Sequence, residues 1–356
     1  MSTSAGGLTD HWDALAPVLA RFPVSRYMGS KRRLLGFIAE VVGQLECESA
    51  LDAFSGGGYV SYLFKALGMS VTSNDFLAYS YRIAQSAVEN SSVRLDDDEV
   101  DALCERTPAT PTFVQDTFNG LFFTPTDNLF LDTVWGNLAG ISDEYKKAIA
   151  LAALCRAALK KQPRGVFTVT GLRYDDGRAD LAMSMEAQFR RSVAEYNAAV
   201  FDNGHECRAH NLDIRDFTET GFDLVYIDTP YYSPHSDNDY LRRYHFVEGL
   251  ATYWADGVMS DTKTRRVPKR DTPFSSARRI IGALDDTFGR FPGSTLLVSY
   301  SSNSMPNRED MVELLGRHRP SVEVFEASHK YSFGTHAHKV GENRNDVSEY
   351  LFLAKP

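Results

Sequence analysis

The stretch Asp223-Leu-Val-Tyr-Ile-Asp-Thr-Pro-Tyr-Tyr232 limits what this chain can fold into more than any other. Leu224, Val225, Tyr226 and Ile227 make a short, largely apolar run, which fits a strand covered on both faces of a sheet. Pro230 cannot donate to a ladder, so regular pairing ends and the chain turns there. Asp228 therefore stands at the carboxyl end of a buried strand, with Tyr231 and Tyr232 just beyond. In open α/β sheets that edge is where ligands bind.

An acid, a leftover carbonyl and an aromatic face suit methylation of an exocyclic amine on a base. The Asp228 carboxylate accepts one N–H of the amine, and the Thr229 carbonyl accepts the other. Two acceptors draw the nitrogen lone pair out of conjugation with the ring and aim it at an electrophile. Tyr231 offers a face on which a base rotated out of a duplex stacks. A plain strand end with a turn acid has the same residues and no chemistry, so the rest of the chain has to decide.

A second constellation lies upstream. Ala50-Leu-Asp-Ala-Phe-Ser-Gly-Gly-Gly-Tyr59 reads as a short strand, a glycine loop and a helix with Val60, Leu63, Phe64 and Leu67 inward. Gly56 and Gly58 let the backbone pass against a ligand, and the helix start offers unpaired N–H groups. A strand over 70–73 then leads to Asn74-Asp75. That acid follows the glycines at the spacing used to grip ribose hydroxyls in a dinucleotide fold. Earlier still, Ser30 is a plausible N-cap for a helix over 31–45, striped by Leu34, Leu35, Ile38, Val41, Val42 and Leu45. Basic residues at that helix start oppose its dipole, so Lys31, Arg32 and Arg33 need another reason to be there. Lys31 is placed to meet a carboxylate. The loop and acid alone do not tell a nicotinamide cofactor from S-adenosylmethionine.

Composition sets the outer bounds. The chain has 356 residues, 43% hydrophobic and 24% charged, enough for one large domain or a domain with an insertion. No apolar run of about 18 residues is present, so no membrane span is expected. Residues 1–10 lack the pattern of a signal peptide. The cysteines Cys47, Cys104, Cys155 and Cys207 form no CxxC pair, which fits reduced thiols in a cytoplasm. A net charge of −9 argues against a generic nucleic-acid coat. Charge is uneven, however. Lys146, Lys147, Arg156, Lys160, Lys161 and Arg164 fall in one stretch without an acid. Lys263, Arg265, Arg266, Lys269, Arg270, Arg278 and Arg279 fall in another with Asp271 alone against them. Together they are read as a basic groove for DNA, with Lys160, Lys161, Arg164, Arg265, Arg266, Lys269 and Arg270 at its centre. The plain alternative is a pair of solvated faces.

From 91 to 203 the α/β alternation lapses. Helices are expected over 142–161 and 182–200. The aromatic residues Phe113, Phe118, Phe122, Phe123, Phe130 and Trp135 lie among Thr, Pro, Asn and Gly, which reads as irregular structure. Residues 1–24 are weakly patterned and read as partly loose. The alternation returns with a strand over 206–210 leading to Asp213, placed to bind a ligand amine, then the strand before Asp228, then Thr295–Tyr300. Residues 322–325 and 350–353 read as a closing antiparallel pair. His329, His336 and His338 lack an accompanying carboxylate or cysteine at ligand spacing, so no metal is expected.

Taken together, Arg26–Leu35, Asp52–Gly58, Asp228–Tyr231 and Leu296–Ser301 resemble, in kind and order, the motifs of the Dam-like class of DNA N6-adenine methyltransferases. The likeness runs from Arg26 to Leu353, outside the 91–203 block. It implies a Rossmann-like methyltransferase fold, α/β with a mixed central sheet and helices on both faces. Residues 1–90 and 204–356 would form the catalytic domain and 91–203 an inserted, mainly helical target-recognition domain. It implies S-adenosylmethionine as cofactor, with Tyr27, Lys31, Asp52, Phe54, Gly56 and Gly58 lining its methionine part. Asp75 would take the ribose hydroxyls and Asp213 the adenine amine. It implies double-stranded DNA as partner, methylated at adenine N6 by base flipping, and a cognate nuclease or defence-system subunits as possible companions. The family's catalytic motif is Asp-Pro-Pro-Tyr; here Thr229 replaces the first proline, while Asp228, Pro230 and Tyr231 remain. That departure keeps a second expectation open, a weakened relative that binds DNA or cofactor for regulation. Adenine in RNA is also open, because the motif reads the base and not the sugar. A nicotinamide-linked oxidoreductase would explain Gly56 and Asp75 but leave Asp228–Tyr231 and Lys31 without a role.

Overall fold

Each buried strand sends alternate side chains into two separate cores. Leu224 and Tyr226 join one, Val225 and Ile227 the other. The same split divides Leu351 and Leu353 from Phe352 and Ala354. Period-two alternation with both sets apolar is what a strand covered on both faces requires. The structure is a computed structural model and describes residues 6–25, 27–162, 165–171, 177–232, 239–330 and 346–356.

The strands are β1 (Ser49–Asp52), β2 (Ser70–Asn74), β3 (Arg208–His210), β4 (Leu224–Ile227), β5 (Thr295–Ser301), β6 (Ser321–Lys330) and β7 (Asp346–Lys355). They form one seven-stranded sheet in the order β3-β2-β1-β4-β5-β7-β6. The β3-β2-β1-β4-β5 pairings are parallel. β7 alone is reversed, antiparallel to both β5 and β6. The mixed sheet is therefore as expected, with β4 at its centre. β6 and β7 run longer than the sequence pattern suggested, and β3 is shorter.

The helices in chain order are α1 (Gly6–Leu19), α2 (Leu35–Val42), α3 (Tyr59–Ala66), α4 (Ala78–Ala84), α5 (Asp97–Cys104), α6 (Phe113–Thr117) and α7 (Pro125–Asn137). There follow α8 (Glu144–Lys161), α9 (Ala179–Ala182), α10 (Met185–Ala199), α11 (Tyr240–Thr252), α12 (Ile280–Gly289) and α13 (Arg308–Gly316). Helices α12 and α13 cover one face of the sheet. Helices α2, α3, α8, α10 and α11 contribute to the core on the other.

Two expectations are corrected. Residues 6–19 are helical rather than loose. The aromatic stretch 113–135 is also largely helical. Thr124 accepts from the Asp127 N–H at 3.2 Å as an N-cap, and Pro125 opens α7. Proline at the first helical position and threonine before it start a helix as readily as they mark a loop. The 91–203 block is helical throughout its assigned elements, but its buried residues merge with one face of the sheet in a single core. The Tyr62 hydroxyl donates to the Ala199 carbonyl at 2.8 Å, and Trp135 Nε1 donates to the Leu250 carbonyl at 2.6 Å. All four cysteines are free. Among the described residues no helix is long and apolar enough to cross a membrane.

Candidate active site

The carboxyl ends of β1, β2 and β4 open on one edge of the sheet. Along it lie two adjoining cavities that share Phe54, Phe76 and Pro230. The inner one, of about 60 Å³, is lined by Tyr27, Lys31, Asp52, Gly56, Asp75 and Asp228, among others. The outer one, of about 430 Å³, is lined by Asn211, Asp213, Ile214, Arg270 and Phe274, among others. Most of the expected cofactor and catalytic residues thus reach one continuous hollow from segments far apart in sequence.

The loop after β1 needs its glycines for different reasons. Gly56 has φ +49°, and a Cβ there would stand 3.0 Å from the Tyr27 ring. Gly58 has φ +76° and caps α3; its Cβ would meet Ile83 and Phe22 at 3.0 and 3.1 Å. Left-handed backbone is open to glycine at little cost. Gly58 thus serves the helix start against the core, while Gly57 lines the cavity in its place.

Asp75 ties this loop to the end of β2. Its carboxylate accepts from the Gly56 N–H at 2.8 Å and the Leu77 N–H at 2.9 Å. Burial outweighs those two donors and pushes its pKa up to about 7. A carboxylate has roughly four acceptor positions, so further acceptor capacity remains for ligand hydroxyls. Asp52 accepts from Ser61 Oγ at 2.6 Å through one oxygen, while the other is buried without a hydrogen-bond partner. Burial again dominates, and Asp228 and Asp75 add to it, placing its pKa at about 7. A buried acceptor left open is costly, and this one lines the hollow. The acids fit a ligand carrying positive charge.

Asp228 stands one residue past β4, as expected. Lys31 Nζ lies 3.1 Å from its Oδ1, and the Tyr231 hydroxyl donates to the same oxygen at 2.8 Å. Lys31 also donates to the Tyr231 hydroxyl and lies 4.9 Å from that ring's centroid. Burial raises the Asp228 carboxyl, and Lys31 only partly offsets it. For Lys31, burial disfavours the charge, yet Asp228 and Glu349 together hold its pKa above the ordinary value. Two carboxylates thus lie within reach of one ammonium. Tyr231 packs edge-on against Tyr300, with centroids 4.9 Å apart. Thr229 is buried, its hydroxyl without a hydrogen-bond partner.

The remaining candidates divide. Asp213 lines the outer cavity, but Arg215 pairs with both its oxygens at 2.9 and 2.7 Å. Partial burial raises its carboxyl, yet Arg215 brings it below the usual range. Lys160 pairs with Asp180 at 3.2 Å, and Lys161 with Asp127 at 3.1 Å. Arg156 is buried against Val24, Ser192 and Glu195. The first basic stretch is thus largely engaged within the fold, and Arg164 lies outside the described residues. In the second, Arg270 reaches the Phe76 carbonyl at 3.0 Å, Asp256 at 2.7 Å and Glu248 at 3.5 Å. Arg265 donates to the Ser260 carbonyl. Arg266 is half-buried and Lys269 exposed. Arg26, His336 and His338 lie outside the described residues, and His329 is on β6.

Residues not singled out from the sequence also reach the site. Tyr240 opens α11 and lines the inner cavity beside Tyr27. Phe76 joins both cavities. Glu349, at the start of β7, approaches Lys31 at 3.6 Å. The last had a legible signal, an acid at a core-facing position of a strand that is otherwise apolar on that face.

A glycine loop after the first strand and acids at successive strand ends define an α/β protein with a ligand cradle at the sheet's carboxyl edge. The chain belongs to the D12 class of N6 adenine-specific DNA methyltransferases, a family that matches it over residues 27–275. It is 27% identical over 349 residues to the type II methyltransferase M2.HphI of Haemophilus parahaemolyticus, covering 94% of this chain and 98% of that one. It is 25% identical over 316 residues to the modification methylase LlaI of Lactococcus lactis subsp. lactis, covering 82% of this chain and 48% of that one. It is 23% identical over 360 residues to the type II methyltransferase M.FokI of Planomicrobium okeanokoites, covering 92% and 52%. The chain therefore spans about half the length of the latter two. Membership makes this chain a methyltransferase, with a methyl donor as part of its reaction.

Proposed function

We propose that this chain transfers a methyl group from S-adenosylmethionine to N6 of adenine in double-stranded DNA, at a specific site and on a base flipped from the helix. The observation that carries the reading is the placement of Asp228, one residue past the central strand β4, on the same hollow as the glycine loop. S-adenosylmethionine supplies the methyl group on a sulfonium and carries an ammonium at its methionine end. Asp52, with one oxygen open, and Asp75, with acceptor capacity to spare, suit such a cationic ligand. Phe54 and Phe76, spanning both cavities, suit an adenosine that bridges them. Gly56 leaves room beside Tyr27. At the other side, Asp228 accepts one N–H of the adenine amine and the Thr229 carbonyl the other, which aims the nitrogen lone pair at the methyl carbon. Acceptance that strengthens as the amine becomes nucleophilic lowers the barrier rather than merely holding the base.

In this reading the helical 91–203 block provides target recognition, packed onto the catalytic sheet rather than set apart from it. Arg265, Arg266 and Lys269 face phosphate, with Arg270 bracing the cofactor edge at Phe76. The type II names of the relatives support a place in a cytoplasmic restriction-modification pair with a cognate nuclease. Expressing the chain in a host free of DNA methylation and sequencing its genome by a method that reads modified bases tests the proposal. Methyladenine at one recurring sequence is expected. A genome with no modified adenine would overturn it.

A further inference from the structure

Glu349 lies outside the 27–275 stretch that carries the family match, yet it belongs to the same charge cluster as Asp228. β7 runs opposite to its neighbours, so its start, not its end, lies at the carboxyl edge. There Glu349 pairs in register with Ser301, the last residue of β5. It shares a face with Leu351 and Leu353, which join the core on that side of the sheet. Glu349 and Lys31 are both buried, 1% and 4% exposed. Lys31 Nζ therefore has two carboxylates in reach, Asp228 at 3.1 Å and Glu349 at 3.6 Å.

Under the proposed reaction this creates a conflict. Asp228 Oδ1 already receives the Lys31 ammonium and the Tyr231 hydroxyl. The ammonium thus competes with an N–H of the target amine for the charge of one carboxylate. Entry of the base therefore loosens the hold of Asp228 on Lys31. A buried ammonium that leaves one carboxylate needs another, because an unpaired charge inside a protein is strongly disfavoured. We propose that Glu349 is a positioning residue that receives Lys31 when the target amine takes its place on Asp228. No bond forms or breaks at Glu349; it acts through Lys31 and touches neither base nor cofactor. Glu349 would thus set how easily the catalytic carboxylate becomes available to the base.

The inference rests on the adenine-methyltransferase reading, and its test separates the two. Single-turnover methyl transfer is measured on duplex DNA carrying the recognition site, with cofactor affinity and melting temperature measured in parallel. The proteins are wild type, Glu349→Gln, Glu349→Asp, Lys31→Met and the Lys31→Met/Glu349→Gln double variant. Glu349→Gln should slow transfer by about tenfold or more while cofactor affinity stays within about threefold, because the missing charge matters after the cofactor is bound. Glu349→Asp should recover part of the rate. In the Lys31→Met background, Glu349→Gln should cost little further, since the residue it serves is gone. Wild-type rates in Glu349→Gln would overturn the inference, as would additive losses in the double variant. Should Glu349→Gln not fold, Glu349→Ala carries the test, and a full wild-type rate there also counts against it. Failure of the wild type to methylate any adenine would instead defeat the reading beneath.

Discussion

Asp52 and Asp75 are both held near neutrality, with pKa values of about 7 against an ordinary 3.8. The raised values mean the native chain binds more protons than the unfolded one between about pH 4 and pH 7. These two groups therefore contribute stability that is complete at low pH and fades as pH rises through 7. A cation bound beside them reverses that loss by favouring the charged forms. Affinity for S-adenosylmethionine should rise with pH up to about 7 and then level, with protons released on binding. Titration calorimetry in two buffers of different ionisation enthalpy checks this; proton uptake, or none, would contradict it. At the end of β4, Asp228→Ala should abolish transfer and leave cofactor affinity nearly intact, because on the proposed reading Asp228 meets the base. Thr229→Pro should keep or raise the rate, since the carbonyl survives and proline stiffens the turn. Rapid-quench methylation assays read both, and methylation by Asp228→Ala at the wild-type rate would remove Asp228 from the mechanism. Asp228, Asp75 and Gly56 were legible in the sequence because each sits where a local pattern breaks. Glu349 stands out only as an acid on an apolar strand face; its link to Lys31 was not legible, since it depends on a register opposite Ser301 that no local pattern records.

At the level of elements, the two basic stretches now call for different expectations. Lys160 and Lys161 pair with Asp180 and Asp127, so neutralising them should lower the melting temperature and leave the salt dependence of DNA binding nearly unchanged. Neutralising Arg265, Arg266 and Lys269 should flatten that dependence. Each phosphate that loses its cation lowers the slope of log affinity against log salt by about 0.9. Binding measured across a salt series decides, and equal slopes for all variants would leave neither stretch touching phosphate. The sequence shows that α8 is basic at its end. It does not show that acids from α7 and α9 come to meet it, because those pairs are made only by packing. The same limit explains α7 itself, where a Thr-Pro pair read as a loop caps a helix.

Across the whole molecule, the glycine loop, the acid after β2 and the buried strand β4 were enough to place the sheet, since α/β alternation is written in short runs. The status of the 91–203 block was not, because its helices are amphipathic toward a core they share with the sheet. Arg156 in α8 donates to the Val24 carbonyl at 3.1 Å, and Trp135 in α7 to that of Leu250 at 2.6 Å. With so much of the core in common, the chain should unfold in one cooperative transition. Scanning calorimetry with agreement between calorimetric and van't Hoff enthalpies is the check; two resolved transitions would restore an independent inserted domain.

The reversed β7 also orders events in time. It lies between β5 and β6 in the sheet but follows both in the chain. A ribosome delivers the glycine loop, Asp228 and the helices long before it delivers Glu349. Until β7 is made, β5 has an open edge, β6 has no partner strand, and Lys31 lacks one of its two acids. A message cut short after β6 would yield a product with every family motif intact and an unfinished catalytic edge. Completion of that edge of the sheet is thereby tied to synthesis of β7.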